Sequence, residues 1–487
     1  MFDYDLAPYV SKTYKRHLKE IKELPLNMTE EEKNEYAWKK TKKETYQAME
    51  GFVHNMNSMN SRSAGQTPFS SINYGTDTSK EGRLVIEAIL KATQSGLGKG
   101  ETPIFPIQIF KTKEGINYNP EDPNYDLFKL ACETSAKRLF PNFSFLDADF
   151  NLEKYNPNNP HTEVAYMGCR TRVLGNKNGE EVVTGRGNLS FTTINLPKIA
   201  MENKDDISKF YEELLKQMKI TKIQLLERMD FQGSRRVKNF KFLMGQGLWK
   251  DSDKLSPDDK IYEVLKHGSL SIGFIGLAEA LIALTGKHHG ECEESLKLAY
   301  DIISFMKKEI EGYAKETNLN FTLLATPAES LAMKYMKRNK EQFGIIKDFT
   351  DKSYLTNSFH IPVWYEIKIA DKIKKEAPFH KMCDAGHITY VEIDGAMQNN
   401  VEAFMQIIKI MKESNIGYGS INHPIDRCPI CSYGGIIDTK CPECGAEEQD
   451  GVKFERIRRI TGYLVGTLDK WNSGKREEHS HRIKHNK

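Results

Sequence analysis

The sequence predicts an α/β fold, either a barrel or a doubly wound sheet, because helical and strand-like patterns alternate along most of its 487 residues. Apolar residues recur at helical spacing in 205–229, 293–316 and 398–413. Between these helices, 188–196 and 388–393 have the composition of short strands. A chain of this length can also bury the large core that such a fold requires.

The first sixty residues predict two helices that are separated near Pro25. The second helix carries apolar residues at helical spacing from Tyr46 to Met56. The next segment, 61–75, is polar and rich in turn-forming residues around a short β-like core.

A third helix is expected over 80–95, and Gly96 suits its C-cap. Residues 103–110 (PIFPIQIF) read as a buried strand with prolines at its start. We find no internal repeat and no long low-complexity linker. The composition changes near residue 420, where a segment rich in Cys and Gly begins.

Composition excludes several classes of protein. The net charge of +3 does not suit a protein that coats nucleic acid, although a local phosphate site remains compatible with it. The N-terminal residues lack the basic and apolar regions of a signal peptide. The longest apolar stretch, 272–284, is interrupted by Glu279 and is too short to span a bilayer. We therefore expect a cytoplasmic protein that contacts neither membrane nor nucleic acid directly.

Four of the eight cysteines form two Cys-x-x-Cys pairs, Cys428 with Cys431 and Cys441 with Cys444. Each pair can present two thiolates from one turn, and two turns complete a tetrahedral sulfur shell that suits structural zinc. Disulfides or an iron ion are the alternatives. A zinc ribbon that binds nucleic acid is a further possibility, but the mildly polar loop between the pairs fits it poorly.

The segment Arg459-Ile-Thr-Gly462-Tyr463 follows the cysteines closely. Taken alone, a glycine here is more typical of a backbone requirement than of a function. The segment resembles the signature of glycyl radical enzymes, and the preceding cysteine pairs resemble those of the anaerobic ribonucleoside-triphosphate reductases in particular. The resemblance implies that Gly462 carries the radical. Its Cα radical can be stabilised by both flanking amides.

A second segment, Met167-Gly-Cys169-Arg170, resembles the family's thiyl motif. The resemblance implies that Cys169 receives the radical and takes the 3′-hydrogen of ribose, and that Met167 lines the same pocket. It also places Asn188 where formate-using members carry an active-site Asn. Taken alone, Cys169 would be a buried inert thiol and Asn188 a turn residue.

The resemblance further implies substrate contacts from two segments. One is a strand near the substrate, and the other is a turn that holds phosphate at a helix start. Without the resemblance, the first is a polar strand and the second an ordinary helix N-terminus. The residues concerned are Ser70, Ser71, Asn73, Thr326, Ala328, Glu329 and Ser330.

Three other segments also bear on the site. We interpret 273–279 and 357–362 (NSFHIP) mainly as scaffold, although the second could approach the substrate. The histidines of the tail, His479, His481 and His485, are expected to be solvated within a charged segment.

As a whole, the resemblance implies a ten-stranded α/β barrel with a catalytic part over 1–420, a zinc module over 421–450 and a radical loop with tail over 451–487. It implies reduction of ribonucleoside triphosphates to deoxyribonucleotides with formate, in a homodimer. The activating partner would be a radical-SAM protein that carries a 4Fe–4S cluster and uses S-adenosylmethionine.

The family's N-terminal ATP cone and the adjoining segment with a second active-site cysteine are not recognised in this sequence. A separately encoded polypeptide could supply them. The alternatives are another glycyl radical enzyme with a different substrate, or a catalytically incomplete fragment with a zinc module.

Overall fold

The computed structural model describes residues 1–25, 27–59, 67–168, 170–173, 175–448, 451–459, 464–465 and 471–485. Its helices are α1 (Phe2–Glu23), α2 (Glu30–Ser58), α3 (Lys80–Ser95), α4 (Tyr125–Arg138), α5 (Asp149–Leu152), α6 (Leu196–Glu202), α7 (Ile207–Gly233), α8 (Tyr262–Leu265), α9 (Leu277–Thr285), α10 (Glu293–Thr317), α11 (Ser330–Phe343), α12 (Ile369–Met382), α13 (Val401–Glu413) and α14 (Ser473–His481). Its strands are β1 (Ser71–Tyr74), β2 (Ile107–Thr112), β3 (Asn142–Phe145), β4 (Ala165–Met167), β5 (Thr171–Val173), β6 (Asn188–Asn195), β7 (Ser269–Ile275), β8 (Asn320–Ala325), β9 (Thr389–Glu392), β10 (Tyr418–Asn422), β11 (Ile425–Arg427), β12 (Gly434–Gly435), β13 (Glu455–Arg459) and β14 (Leu464–Val465).

The N-terminal helices begin and end where the sequence contains capping signals. Helix α2 starts with a capping box, in which Thr29 and Glu32 satisfy each other's backbone amides. Helix α3 ends at Gly96, whose φ of +80° favours glycine. An added Cβ at Gly96 would also lie only 2.7 Å from the Glu101 carbonyl oxygen. The predicted helix boundaries in this region are therefore confirmed.

Two sheets form the centre of the molecule. In the five-stranded sheet the order is β1-β2-β3-β10-β9. Strand β10 pairs antiparallel with β3, and all other neighbouring strands of this sheet pair in parallel. Strands β6, β7 and β8 form a parallel three-stranded sheet. A parallel bridge between Leu324 and Gly386 connects β8 to the segment that enters β9. Helices cover both sheets, so the α/β prediction is confirmed. Within the described residues these sheets do not close into a ten-stranded barrel.

Helices and strands enclose two large apolar cores. One lies between β6–β8 and helices α7, α9 and α10. The other lies between β1–β3, β10 and helices α3, α4 and α13. Burial on this scale is the main contribution to stability, at about 25 cal/mol per Å² of apolar surface.

The C-terminal part is a four-stranded sheet of order β12-β11-β13-β14. Because β11 pairs with β13, the cysteine segment and the strand before Gly462 belong to one sheet. Strand β10 extends to Asn422, across the predicted boundary at residue 420. None of the described helices is long and apolar enough to cross a membrane.

Candidate active site and metal centre

The four C-terminal cysteines meet at one point. Their sulfur atoms all lie within 4.8 Å of one another. The Sγ atoms of Cys428 and Cys444 are 3.7 Å apart, and those of Cys431 and Cys441 are 3.6 Å apart. A tetrahedral zinc ion with Zn–S bonds of about 2.3 Å needs sulfur separations of about 3.8 Å. The donor set and its spacing therefore fit structural zinc.

The two cysteine pairs adopt the same turn. The Cys428 amide donates to the Tyr433 carbonyl at 2.9 Å, and the Cys441 amide donates to the Ala446 carbonyl at 2.9 Å. Each turn needs one residue with positive φ four positions after its first cysteine. That residue is Ser432 (φ +64°) in one turn and Gly445 (φ +74°) in the other.

Strands β4 and β5 form the hairpin that contains the predicted thiyl residue. Met167 pairs with Thr171 across this hairpin, and Cys169, at its tip in the sequence, lies outside the described residues. Strand β1 holds the hairpin from one side. The Asn73 side chain bonds both backbone groups of Tyr166, and the Gly168 amide donates to Ser71 Oγ at 3.3 Å.

Arg170, the residue after Cys169, is completely buried. Its Nη1 donates to the Ala325 carbonyl at 3.3 Å and to Ser358 Oγ at 3.1 Å. It also reaches the Thr326 carbonyl at 3.5 Å. The motif around Cys169 is thereby joined to the predicted phosphate turn and to the NSFHIP segment.

The predicted phosphate turn precedes α11, which begins at Ser330 with Glu329 at its N-cap. The Ala328 amide already donates to Asn357 Oδ1 at 2.7 Å. Thr326 is buried, and its Oγ1 lies 3.0 Å from Thr193 Oγ1. The arrangement orders this turn, while any role in phosphate binding remains a prediction.

The predicted residues Met167 and Asn188 lie near each other. The Met167 Cε atom is 3.9 Å from the position that a Cβ would take on Gly187. The Asn188 side chain donates to Ser271 Oγ on the neighbouring strand. Ser70 lies before β1, where its Oγ is 3.5 Å from Met56 Sδ and its carbonyl accepts from the Ile107 amide.

Gly462 lies outside the described residues, but the residues on either side of its segment are firmly held. Arg459 pairs with Leu464 across β13 and β14. Arg459 is buried, donates to Asn422 Oδ1 at 2.7 Å and to the Leu139 carbonyl at 2.6 Å, and packs over the Phe140 ring.

A cavity lies between these two regions. Its wall includes Arg170 from the thiyl motif and Asn422, the hydrogen-bond partner of Arg459. The full lining is Arg170, Tyr354, Thr356, Asn357, His360, Ile361, Val363, Lys372, Tyr390, Glu392, Asn422, Glu478, Arg482 and His485.

Ionisable groups behind the cavity are strongly perturbed. Burial lowers the pKa of His360 to about 4, so that its imidazole is neutral at pH 7. Burial alone would raise the pKa of Glu376, but the adjacent Lys372 and His360 hold it well below its ordinary value. Such shifts are typical of functional sites and also of structural ion-pair networks.

The C-terminal tail contributes to the same cavity, which corrects the expectation that it is solvated. His485 is buried, its backbone amide donates to the Glu392 carbonyl at 2.8 Å, and the Ile483 amide donates to the Val363 carbonyl at 2.9 Å. Lys475 and Glu478 form a buried ion pair. Burial lowers the pKa of His479 and of His485 to about 4 in each case.

Sequence reasoning missed the roles of Lys372, Tyr390 and Arg482 in the cavity wall. The NSFHIP segment, interpreted mainly as scaffold, also contributes Asn357 and His360. One feature of the sequence could have indicated this wall. Lys372 and Glu376 lie four residues apart on α12, a spacing at which opposite charges form an ion pair on one face of a helix.

Comparison with known proteins agrees with these features. The family described as anaerobic ribonucleoside-triphosphate reductase matches residues 1–485. The enzyme of that name from Enterobacteria phage T4 is 34% identical over 99% of this chain and 78% of its own length. The Escherichia coli K12 enzyme is 33% identical over 99% of this chain and 67% of its own length.

Solved structures agree in fold. The Thermotoga maritima anaerobic ribonucleotide reductase with glycerol in the active site has a TM-score of 0.66 at 17% identity, covering 98% of this chain and 71% of that one. At this identity the likeness concerns the fold alone. The family match over residues 1–485 and the 34% identity to the phage T4 enzyme together show that the chain belongs to the anaerobic ribonucleoside-triphosphate reductase family.

Proposed function

We propose that this protein reduces ribonucleoside triphosphates to 2′-deoxyribonucleoside triphosphates by a glycyl and thiyl radical mechanism, with Gly462 and Cys169 as the radical sites. The observation that carries the proposal is the shared cavity. Arg170, next to Cys169 in the sequence, and Asn422, bonded to Arg459 three residues before Gly462, line the same cavity. Burial of Arg170 and Asn422 also suits radical chemistry, because it keeps water and competing reactants away.

In this mechanism the radical rests on the Gly462 Cα and moves to the Cys169 sulfur. The thiyl radical takes the 3′-hydrogen of ribose, so that a C–H bond breaks and an S–H bond forms. The 2′-hydroxyl leaves as water after protonation. Cys169 then returns a hydrogen to C3′, and the radical returns to Gly462.

Formate is the reductant that we propose for this reaction. It supplies two electrons as it is oxidised to carbon dioxide. The net reaction converts one ribonucleotide and one formic acid into one deoxyribonucleotide, one carbon dioxide and one water. Met167 and Asn188 would line this site, and the closeness of Met167 to Gly187, the neighbour of Asn188, is compatible with that role.

For substrate binding we propose that Ser70, Ser71 and Asn73 face the nucleotide side of β1, and that residues Thr326 to Ser330 hold phosphate. The contacts of Asn73 and Ser71 with the thiyl hairpin support their closeness to the reacting centre. Because the Ala328 amide is engaged by Asn357, phosphate binding there would involve the neighbouring amides or a shift of Asn357.

We propose three functional parts, a catalytic part over 1–420, a zinc module over 421–450 and a radical loop with tail over 451–487. Zinc bound by the four cysteines would fix the turn positions beside β11 and β13, which lead to the Gly462 segment. The catalytic part would be a ten-stranded barrel. In this proposal the five-stranded and three-stranded sheets would supply eight of its strands, with β1 and β6 each at the edge of its sheet.

The partners proposed are a radical-SAM activase with S-adenosylmethionine and a 4Fe–4S cluster, a second copy of this chain, and a separately encoded N-terminal fragment. We also propose a cytoplasmic location, because cysteines spaced for metal binding suit a reducing compartment. The activase would need access to Gly462, so the β13–β14 region should be able to open.

Electron paramagnetic resonance tests the radical assignment. After anaerobic incubation with the activase, S-adenosylmethionine and a reductant, we expect a glycine-centred doublet that is absent in Gly462→Ala. Gly434→Ala is the matched control, because Gly434 lies in the same sheet and an added Cβ meets nothing within 4 Å. A doublet that persists in Gly462→Ala would contradict the assignment.

Turnover tests the thiyl assignment. Cys169→Ala should abolish deoxyribonucleotide formation while it retains the doublet. Cys132→Ala, at a buried cysteine of α4, should retain both. Measurable turnover by Cys169→Ala would remove the role proposed for this sulfur.

A further inference from the structure

Arg170 is fully buried, but only one of its three guanidinium nitrogens has a hydrogen-bond acceptor among the described residues. Among the described residues, its acceptors are the Ala325 and Thr326 carbonyls and Ser358 Oγ, and all three accept from Nη1. Its Nε and Nη2 atoms are buried and have no acceptor among the described residues. Guanidinium N–H groups that lose water without gaining an acceptor are strongly destabilising. An acceptor outside the described protein atoms is therefore expected.

The charges around the cavity lead to the same expectation. Three other buried cations around the cavity have a carboxylate partner within the described chain, Lys372 with Glu376, Lys475 with Glu478 and Arg482 with both Glu392 and Glu478. Arg172, in the same hairpin as Arg170, has neutral oxygen acceptors for all of its nitrogens instead. No described carboxylate lies within ion-pair distance of Arg170. A buried charge without a partner is rare in folded proteins. The missing partner should be an anion.

The identity of the open donors narrows the chemistry of this anion. Nε–H and Nη2–H lie on one edge of the guanidinium plane and point in the same direction. This pair of donors matches the two oxygens of a carboxylate, which it binds with two parallel hydrogen bonds.

The cavity beside Arg170 sets the size of the anion. Its wall contains Tyr390 and His360, and the tail residues Arg482 and His485 close it. His360 Nε2 is also buried without a partner among the described residues, while its Nδ1 is 3.4 Å from Glu376 Oε2. The free volume of this cavity, about 50 Å³, favours a carboxylate of very few atoms.

We infer that Arg170 binds a small carboxylate ion with its Nε and Nη2 atoms in this cavity. Formate is the natural candidate, and that identification rests on the proposed function, whereas the anion site itself does not. Arg170 directly follows the proposed thiyl residue Cys169 in the sequence, which connects the anion site with the proposed reaction. This gives Arg170 a binding role that is separate from the backbone contacts of its Nη1 atom.

Binding of ¹³C-formate to the unactivated protein, followed by NMR line broadening, tests the inference without radical chemistry. The probes are sodium formate, sodium phosphate and sodium chloride at equal ionic strength. We expect saturable formate binding that phosphate and chloride do not displace. Displacement by phosphate, or the absence of saturable formate binding, would overturn the carboxylate assignment.

Variants connect the binding to Arg170. Arg170→Lys retains a positive charge but loses the parallel donor pair, and we expect formate affinity to fall by about tenfold or more. Arg172→Lys is the matched control, because Arg172 is buried in the same hairpin and its nitrogens are satisfied by Asn151, Phe150 and Asp384. Equal affinity of Arg170→Lys and wild type would overturn the inference.

Circular dichroism checks that each variant is folded. If Arg170→Lys does not fold, the wild-type titration decides by itself, since saturable formate-selective binding supports the site and its absence overturns it. The result is also distinguishable from failure of the proposed function. If the protein binds formate through Arg170 but forms no glycyl radical, the anion site is supported and only the proposed reductase function is contradicted.

Discussion

Asn73 and Tyr166 exchange two hydrogen bonds across 93 residues of sequence. Asn73 Nδ2 donates to the Tyr166 carbonyl at 2.8 Å, and the Tyr166 amide donates to Asn73 Oδ1 at 3.0 Å. A single side chain on β1 thus replaces a neighbouring strand for the start of the β4–β5 hairpin. The position of the hairpin that contains Cys169 in its sequence therefore depends on an amide group that both donates and accepts.

Replacing this amide should affect turnover more than stability. Asn73→Asp keeps the size of the side chain but cannot donate to the Tyr166 carbonyl when ionised. We expect a loss of about 1–3 kcal/mol in unfolding free energy from the unpaired group. Because displacement of a reacting group by 1 Å can lower rates about 100-fold, the rate of deoxyribonucleotide formation should fall by about that factor.

Asn117→Asp provides the matched control for this substitution. Asn117 is also buried and donates to two backbone carbonyls, those of Gly75 and Lys111, but it does not contact the hairpin. It should lose comparable stability with little change in the rate of the folded enzyme. Equal loss of turnover in both variants would indicate that Asn73 acts only through overall stability.

The sequence predicted those parts of the fold that local signals determine. The break between α1 and α2, the end of α3 at Gly96, the start of α7 and the limits of α10 follow from caps and apolar spacing. Helix α7 continues to Gly233, four residues beyond the predicted end at residue 229. The strand predicted over 103–110 instead begins at Ile107 and continues to Thr112. Pairing with β1 and β3 sets those limits, and strand pairing cannot be read from one strand alone.

The candidate site was predicted where residues form recognisable motifs and missed where they meet only through the fold. The four cysteines fall within 17 consecutive residues, and their spacing was sufficient to predict the metal site. In contrast, Arg170 and Arg482 line one cavity although more than 300 residues separate them. The charged tail carries no apolar pattern, so its burial through ion pairs such as Lys475 with Glu478 could not be anticipated.

Removal of one zinc ligand should disturb the radical segment as well as the metal. Cys431→Ser weakens the sulfur shell, and we expect metal analysis to fall from one zinc per chain to well below one. Because β11 and β13 share the sheet that carries the cysteine turns, the yield of the glycyl doublet should fall too. Cys292→Ser is the control, since Cys292 caps α10 outside the cluster and serine suits an N-cap. A full yield of the glycyl radical in zinc-free Cys431→Ser would show that radical formation does not depend on the bound metal.

The two equivalent cysteine turns allow a paired test of backbone strain. Ser432 has a φ of +64° without being glycine, so Ser432→Gly should stabilise the module by up to about 1 kcal/mol. Gly445→Ala should destabilise it by about 1–2 kcal/mol, because an added Cβ has space but the φ of +74° disfavours it. Resistance of bound zinc to a chelator measures both effects. Shifts in the same direction for both variants would show that strain at this position does not limit the module.

Buried histidines should make the protein sensitive to acid. Burial, together with the neighbouring His288, lowers the pKa of His289 to about 3, and the ordinary value is 6.5. Between pH 6.5 and pH 3 the unfolded chain therefore binds a proton at this histidine that the folded chain does not bind. The stability that neutral His289 contributes is fully present above pH 6.5 and is lost as the pH falls towards 3. Each such group lowers the unfolding free energy by up to about 1.4 kcal/mol per pH unit.

His289→Gln retains a donor for the Phe359 carbonyl, which lies 2.9 Å from His289 Nε2, but does not titrate. In urea unfolding between pH 7.5 and 4.5, we expect the variant to be less stable than wild type at pH 7.5 and the difference to shrink as the pH falls. A difference that stays constant across this range would mean that His289 is not excluded from protonation in the folded protein.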